Sequence, residues 1–170
     1  MIYKNAIPNE AHKALVKLEQ RGKLKTIITQ NIDNLHQMAG SKSVIELHGS
    51  VYRNNCMKCN KSYSLEYIVQ SNSVPVCSEC GGLVKPDVVL YEEPLNMTVI
   101  NNAIRKIASA DTLIIGGTSL VVYPAASLIK YFNGKNLILI NKSSTQYDDK
   151  ANIVMNDSIG KTLKAVTDRI

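Results

Sequence analysis

Thr112-Leu113-Ile114-Ile115-Gly116-Gly117-Thr118-Ser119 is the stretch that decides the fold of this chain. Its first four residues read as a short apolar strand buried on both faces, the habit of a parallel sheet. The glycines and hydroxyls behind it make a turn, residues 124–132 read as a helix, and residues 137–140 as the next strand. The same alternation runs through the rest of the chain. Asn9 caps a helix over 9–21 that Gly22 stops. A β-branched strand follows over 25–29, a brief helix over 33–39 ended by Gly40, and a strand over 44–47. Residues 97–109 form an amphipathic helix, residues 153–155 a short strand, and a last helix starts at Ser158. Strands alternating with helices imply an α/β layer built on a parallel sheet.

An insertion interrupts that rhythm. The four cysteines stand in two pairs, Cys56-x-x-Cys59 and Cys77-x-x-Cys80. Two pairs at this separation grip a tetrahedral ion from opposite sides, as expected of a structural zinc site with four thiolates. With 170 residues and 45% hydrophobic content, the chain can bury a core. It holds no apolar run of about 18 residues, the length a membrane helix needs. Its first ten residues lack a signal-peptide pattern, and clustered cysteines suit a reducing compartment, so a cytoplasmic protein is expected. The net charge of +6 is unevenly spread. Residues 50–93 hold four cations against five anions, and four thiolates with one zinc ion bring the module to about −3. A zinc module that grips nucleic acid should be basic, so direct nucleic-acid binding is not expected.

In a parallel α/β sheet, ligands bind beyond the carboxyl ends of the strands, and three polar clusters fall there. Thr29-Gln30-Asn31-Ile32-Asp33 offers two amides and a carboxylate, suited to ribose hydroxyls and a carboxamide, or simply to capping a helix. Glu46-Leu47-His48-Gly49 offers an imidazole that is either structural or a base for a sugar hydroxyl. Gly116-Gly117-Thr118-Ser119 is either a tight turn or a place where phosphate or ribose meets the backbone. His12 and His36 lie on helices and read as structural.

Taken together, these segments resemble the sirtuins, the NAD-dependent protein deacylases. The resemblance rests on Thr29-Gln30-Asn31-Ile32-Asp33-x-Leu35-His36-x-x-Ala39-Gly40, on Glu46-x-His48-Gly49, and on the two cysteine pairs. It continues through Lys85-Pro86-Asp87-Val88-Val89-Leu90-Tyr91-Glu92-Glu93, Gly117-Thr118-Ser119-Leu120-x-Val122-x-Pro124-Ala125 and Leu139-Ile140-Asn141. Glu92 departs from the pattern, because many members carry glycine there; the Tyr-Glu-Glu version looks bacterial. The resemblance implies a Rossmann-like parallel sheet over 1–49 and 94–170, with a small zinc ribbon inserted over 50–93. It implies a transferase-type deacetylase that moves an acyl group from lysine to NAD, releasing nicotinamide and acetyl-ADP-ribose, with mono-ADP-ribosyl transfer as the alternative chemistry. His48 would be the general base. Gln30, Asn31 and Asp33 would line the nicotinamide and ribose pocket, and Gly117, Thr118, Ser119 and Asn141 the adenosine half. Val88, Val89, Leu90 and Tyr91 would offer a strand edge to an acyl-lysine peptide. The zinc on Cys56, Cys59, Cys77 and Cys80 would be structural.

The family opens with a strand, a Gly-Ala-Gly-x-Ser turn and a loop ending Pro-Asp-Phe-Arg, and none of these is found from Met1 onward. In the family that first strand is central, between the strands corresponding to residues 25–29 and 112–115. Two unpaired inner edges are therefore expected, closed by direct strand pairing or by another chain, together with weak NAD binding and little turnover. A zinc-containing fragment that binds peptides without turning them over is the competing expectation.

Overall fold

A computed structural model describes residues 5–118, 120 and 125–170. The chain starts with helix α1 (Glu10–Gln20), strand β1 (Ile27–Thr29), helix α2 (Leu35–Ala39) and strand β2 (Val44–Glu46). The insertion follows as β3 (Gly49–Cys56), β4 (Ser62–Tyr63), α3 (Leu65–Gln70) and β5 (Val84–Val88). Helix α4 (Met97–Ala108), β6 (Thr112–Gly116), a 3-10 segment (Ala125–Tyr131), β7 (Asn136–Ile140), a 3-10 turn (Asp148–Lys150), β8 (Ile153–Met155) and α5 (Ile159–Thr167) complete it.

Local chemistry explains the boundaries. The Asn9 side chain accepts from the backbone N–H groups of Ala11 and His12, while the His12 ring accepts from the Asn9 N–H, so the first turn of α1 is capped from both directions. At α4 the Asn96 side chain accepts from the Thr98 and Val99 N–H groups. The segment 125–131 winds as a 3-10 helix where an α-helix is expected; the Phe132 N–H donates to Ile129 O, three residues back, at 3.0 Å. Helix α3, six residues long and capped by Ser64, is not legible in the sequence between the cysteine pairs.

Strands β1 and β2 pair in parallel, as do β6, β7 and β8, whereas β4, β3 and β5 form an antiparallel sheet in that order. The expected alternation of parallel α/β units around an inserted module is what the chain forms, and the strands of the insertion pair antiparallel. Helix α4 supplies Ile100, Ala103 and Ile107 to a core shared with Ile45 and Leu47, and Ile28 of β1 and Leu113 of β6 pack against that same core. A second core joins Ala11 and Ala14 of α1 to Leu163 of α5 and Ile140 of β7. Full burial of an aliphatic side chain such as Leu139, 2% exposed, stabilises by about 1.5–3 kcal/mol.

The parallel strands do not form one continuous sheet. Among the described residues β1 hydrogen-bonds only with β2, and β6 only with β7. Direct closure of residues 25–29 on 112–115 is therefore not what the chain adopts. The expectation that the run at 112–115 is buried on both faces is corrected as well, because Ile114 is 39% exposed. The physical reason is edge geometry: among the described residues β6 is bonded only to β7, and a strand bonded along one edge leaves the other edge and its adjoining side chains open to water.

Candidate functional site

The loop leaving β1 is shaped by its own polar groups. The Asn31 N–H donates to Thr29 Oγ1 at 3.1 Å, the Val51 N–H to Ile32 O at 3.1 Å, and the Leu35 N–H to Asp33 Oδ1 at 3.0 Å. Asp33 thus does hold the turn into α2, and its second oxygen has no such duty in that turn. Asn31 is exposed, and Gln30 and Asp33 are half-buried.

His48 closes over this loop. Its Nδ1 lies 2.9 Å from the backbone carbonyl oxygen of Gln30. A carbonyl only accepts, so Nδ1 carries the proton and donates it, and in the neutral ring Nε2 is then the nitrogen with the lone pair. The bond therefore selects the tautomer a general base requires. The His48 carbonyl in turn accepts from the Val89 N–H at 3.1 Å, which ties the end of β5 to the same point. Gly49 makes this approach possible. Its φ is +75°, and a Cβ there would stand 1.9 Å from the Asp87 carbonyl oxygen.

Beyond Val88 the chain leaves β5 and turns. The Leu90 N–H donates to Glu93 Oε2 at 2.9 Å, and Lys85 Nζ holds the same carboxylate. Leu90 is 56% and Tyr91 100% exposed. Glu92, at the position where glycine is common in the family the sequence resembles, takes φ +70°, the left-handed region that favours glycine.

The third cluster sits at the ends of β6 and β7. The Gly117 N–H donates to Ile140 O at 3.1 Å, which brings Gly117 beside Asn141. Thr118 Oγ1 accepts from the Leu120 N–H at 3.2 Å, and Asn141 Nδ2 donates to Ser143 O at 3.0 Å, which leaves its side-chain oxygen outside that bond. Ser119 lies outside the described residues. The first two clusters are joined directly, through His48 and Gln30; the third belongs to the other group of parallel strands.

The four cysteine sulfurs lie within 4.8 Å of one another, with Cys56 and Cys80 at 3.5 Å and Cys59 and Cys77 at 3.5 Å. A disulfide needs about 2.05 Å, whereas a tetrahedron with zinc–sulfur bonds of about 2.3 Å has edges of about 3.8 Å. The cluster fits one zinc ion. Turn amides of Lys58 and Cys59 point at Cys56 Sγ, and that of Glu79 at Cys77 Sγ. The Tyr63 hydroxyl, ahead of neighbouring amides, brings the Cys77 thiol down to about 6, a ready thiolate at neutral pH.

Two supports escaped sequence reasoning. Arg53 bridges Glu46 Oε2 at 2.5 Å and Asp87 Oδ2 at 2.8 Å, pinning the end of β2 to β5 on either side of His48. Nothing local in the sequence pairs these three residues, because only the tertiary register brings them together. The His12 and His36 rings pack at a tilt of 57° with centroids 4.6 Å apart. Burial lowers the pKa of both, which accords with their structural reading.

Fold and site define a Rossmann-like α/β protein with a zinc-binding insertion and polar loops at the ends of its parallel strands. The Sir2 family pattern matches residues 1–124. The chain is 67% identical over 169 residues to an NAD-dependent protein deacetylase of Clostridium perfringens (strain 13 / Type A), covering 99% of this chain and 69% of that protein. A relative of the same description from Clostridium acetobutylicum is 62% identical over 98% of this chain and 68% of its own length. A solved structure of Sir2 with a p53 peptide and NAD+ superposes with a TM-score of 0.89 at 41% identity, over 96% of this chain and 70% of that one. A complex of a Sir2 homologue with NAD matches with a TM-score of 0.89 at 40% identity, over 97% of this chain and 65% of that one. The chain belongs to the Sir2 family.

Proposed function

We propose that this chain is an NAD-dependent protein lysine deacetylase that releases nicotinamide and acetyl-ADP-ribose. NAD supplies the electrophilic sugar carbon and the ribose hydroxyls that receive the acyl group. His48 Nε2 takes the proton of a ribose hydroxyl, while Nδ1–H stays anchored on Gln30 O so that the ring neither rotates nor changes tautomer. Gln30, Asn31 and Asp33 orient the carboxamide and ribose, and Gly117, Thr118, Ser119 and Asn141 hold the adenosine half. An acyl-lysine peptide lies along Val88, Val89, Leu90 and Tyr91, next to the His48 carbonyl. Residues 50–93 form the zinc module, whose four thiolates saturate the ion and give it a structural part; residues 1–49 and 94–170 form the NAD-binding part. No helix among the described residues is long and apolar enough to cross a membrane. The cluster of free thiols suits a reducing cytoplasm.

The observation that carries this reading is the 2.9 Å bond between His48 Nδ1 and Gln30 O. Nicotinamide release from NAD with an acetyl-lysine peptide tests it, with His48→Ala alongside. Loss of a positioned general base lowers the rate by about 10²–10⁴-fold. Equal turnover by the two proteins would sink the proposal. The open edges of β1 and β6 favour a second reading, a peptide-binding fragment without turnover. Peptide binding with wild type and variant equally inert would establish it.

A further inference from the structure

The metal module has a second layer that the cysteine spacing does not reveal. Tyr63 Oη lies 3.0 Å from Cys77 Sγ. The same oxygen accepts the Ser78 N–H at 2.8 Å, and Ser78 Oγ stands 3.1 Å away. With one lone pair committed to the amide, the hydroxyl proton has two acceptors in reach, the sulfur and the Ser78 oxygen. When Cys77 is a thiolate the charged acceptor wins, because hydrogen bonds to ionised groups are roughly twice as strong as neutral ones. The ring cannot drift. It packs on Tyr67 with centroids 4.4 Å apart, and Tyr67 Oη donates to Val76 O at 2.7 Å, so the two tyrosines hold the segment that delivers Cys77.

We propose that Tyr63 is a positioning residue of the metal centre: its O–H donates to the Cys77 thiolate, drains charge from that sulfur and fixes it in the geometry that grips zinc. Four thiolates around one divalent ion carry a net charge of about −2. Every donor to sulfur eases their mutual repulsion. The turn amides serve this purpose at Cys56 and Cys77, and Tyr63 adds the side-chain hydroxyl contact at Cys77. Partners of metal ligands are worth about 10–100-fold in metal affinity. A merely structural tyrosine would act through its ring; this one acts through its hydroxyl.

The test uses the whole chain, loaded with zinc or with cobalt(II), whose sulfur-to-metal charge-transfer band reports electron density on the thiolates. Tyr63→Phe keeps the ring and its stack on Tyr67. It is expected to move the band to longer wavelength and to pass zinc to a chromogenic chelator about tenfold faster, the lower end of the range for such partners. Tyr67→Phe, which loses a hydroxyl of the same clamp but no sulfur contact, leaves the band in place. Ser78→Ala removes an acceptor that the thiolate already outcompetes and also leaves the band in place. A Tyr63→Phe band at the wild-type position, or an unchanged transfer rate, overturns the proposal. If Tyr63→Phe does not take up cobalt, Tyr67→Phe decides: cobalt uptake with a wild-type band supports the proposal, and a failure to take up cobalt overturns it, because the loss would then belong to the clamp and not to the sulfur contact.

Discussion

Replacing Gly49 by alanine should damage both the stability and the catalytic corner of this protein. The added Cβ would stand 1.9 Å from the Asp87 carbonyl oxygen, where ordinary contact begins at 3.4 Å, so β3 and β5 must part by the difference, 3.4 − 1.9 = 1.5 Å. At φ +75° the alanine also sits in the left-handed region, which costs about 1–2 kcal/mol. Parting the strands breaks the pairing of Gly49 with Val88 and of Ser50 with Asp87, and stretches the 3.1 Å bond from the Val89 N–H to the His48 carbonyl. Two lost bonds at about 1 kcal/mol each bring the total to about 3–4 kcal/mol, a large share of the roughly 5–15 kcal/mol that holds a domain together. Urea unfolding of the zinc-loaded chain measures this, with Gly117→Ala as the comparison. Gly117 has φ +65° but nothing within 4 Å of a Cβ, so only the backbone cost of about 1–2 kcal/mol applies. Equal destabilisation of the two variants, or a Gly49→Ala chain within about 0.5 kcal/mol of wild type, refutes the steric account of how His48 is set beside β5.

Burial holds His12 and His36 below the ordinary histidine value, so the unfolded chain takes up protons first. Their contribution is complete above the ordinary value of 6.5 and shrinks as pH falls from there towards the lowered native values. Thermal melts at about pH 7.5 and about pH 5.5 should show a lower Tm in acid, and a His36→Gln chain a smaller drop; identical drops would exclude the pair as the source. Alternation along a strand turns the Ile28 and Ile114 amides away from their bonded neighbours, so both should exchange with deuterium much faster than the amides of β7; protection equal to that of Leu139 would show that the edges are covered. Glu92→Gly removes a left-handed strain of about 1–2 kcal/mol while loosening the unfolded chain by about 0.4–1 kcal/mol, so it should be neutral to mildly stabilising; a loss above about 1 kcal/mol would mean the Glu92 side chain holds the turn.

How much could be read beforehand follows from how local each cause is. Asn9 caps α1 through bonds two or three residues away and α4 carries an amphipathic period along its own length, so both were legible to within a residue or so. The cysteine pairs name their ion because tetrahedral coordination needs only ligand type and spacing. Helix α3 and the 3-10 winding after Thr118 were not legible, being short segments whose form is settled by neighbours. The two readings of Asp33, cap or pocket wall, could not be separated in the sequence; in the structure Asp33 Oδ1 accepts from the Leu35 N–H in the turn before α2, while the N-cap position itself is Asn34, which makes no side-chain capping bond.

The order of strands and helices, the zinc-binding tetrad and the polar loops at strand ends are properties of the chain read on its own, because hydrophobic period, turn chemistry and ligand spacing act over a few residues. The tautomer of His48, the bridge from Arg53 to Glu46 and Asp87 and the hydroxyl of Tyr63 on Cys77 arose only in three dimensions. Each depends on groups far apart in sequence meeting within hydrogen-bond distance, and a hydrogen bond depends on angstroms and angles that no linear pattern encodes.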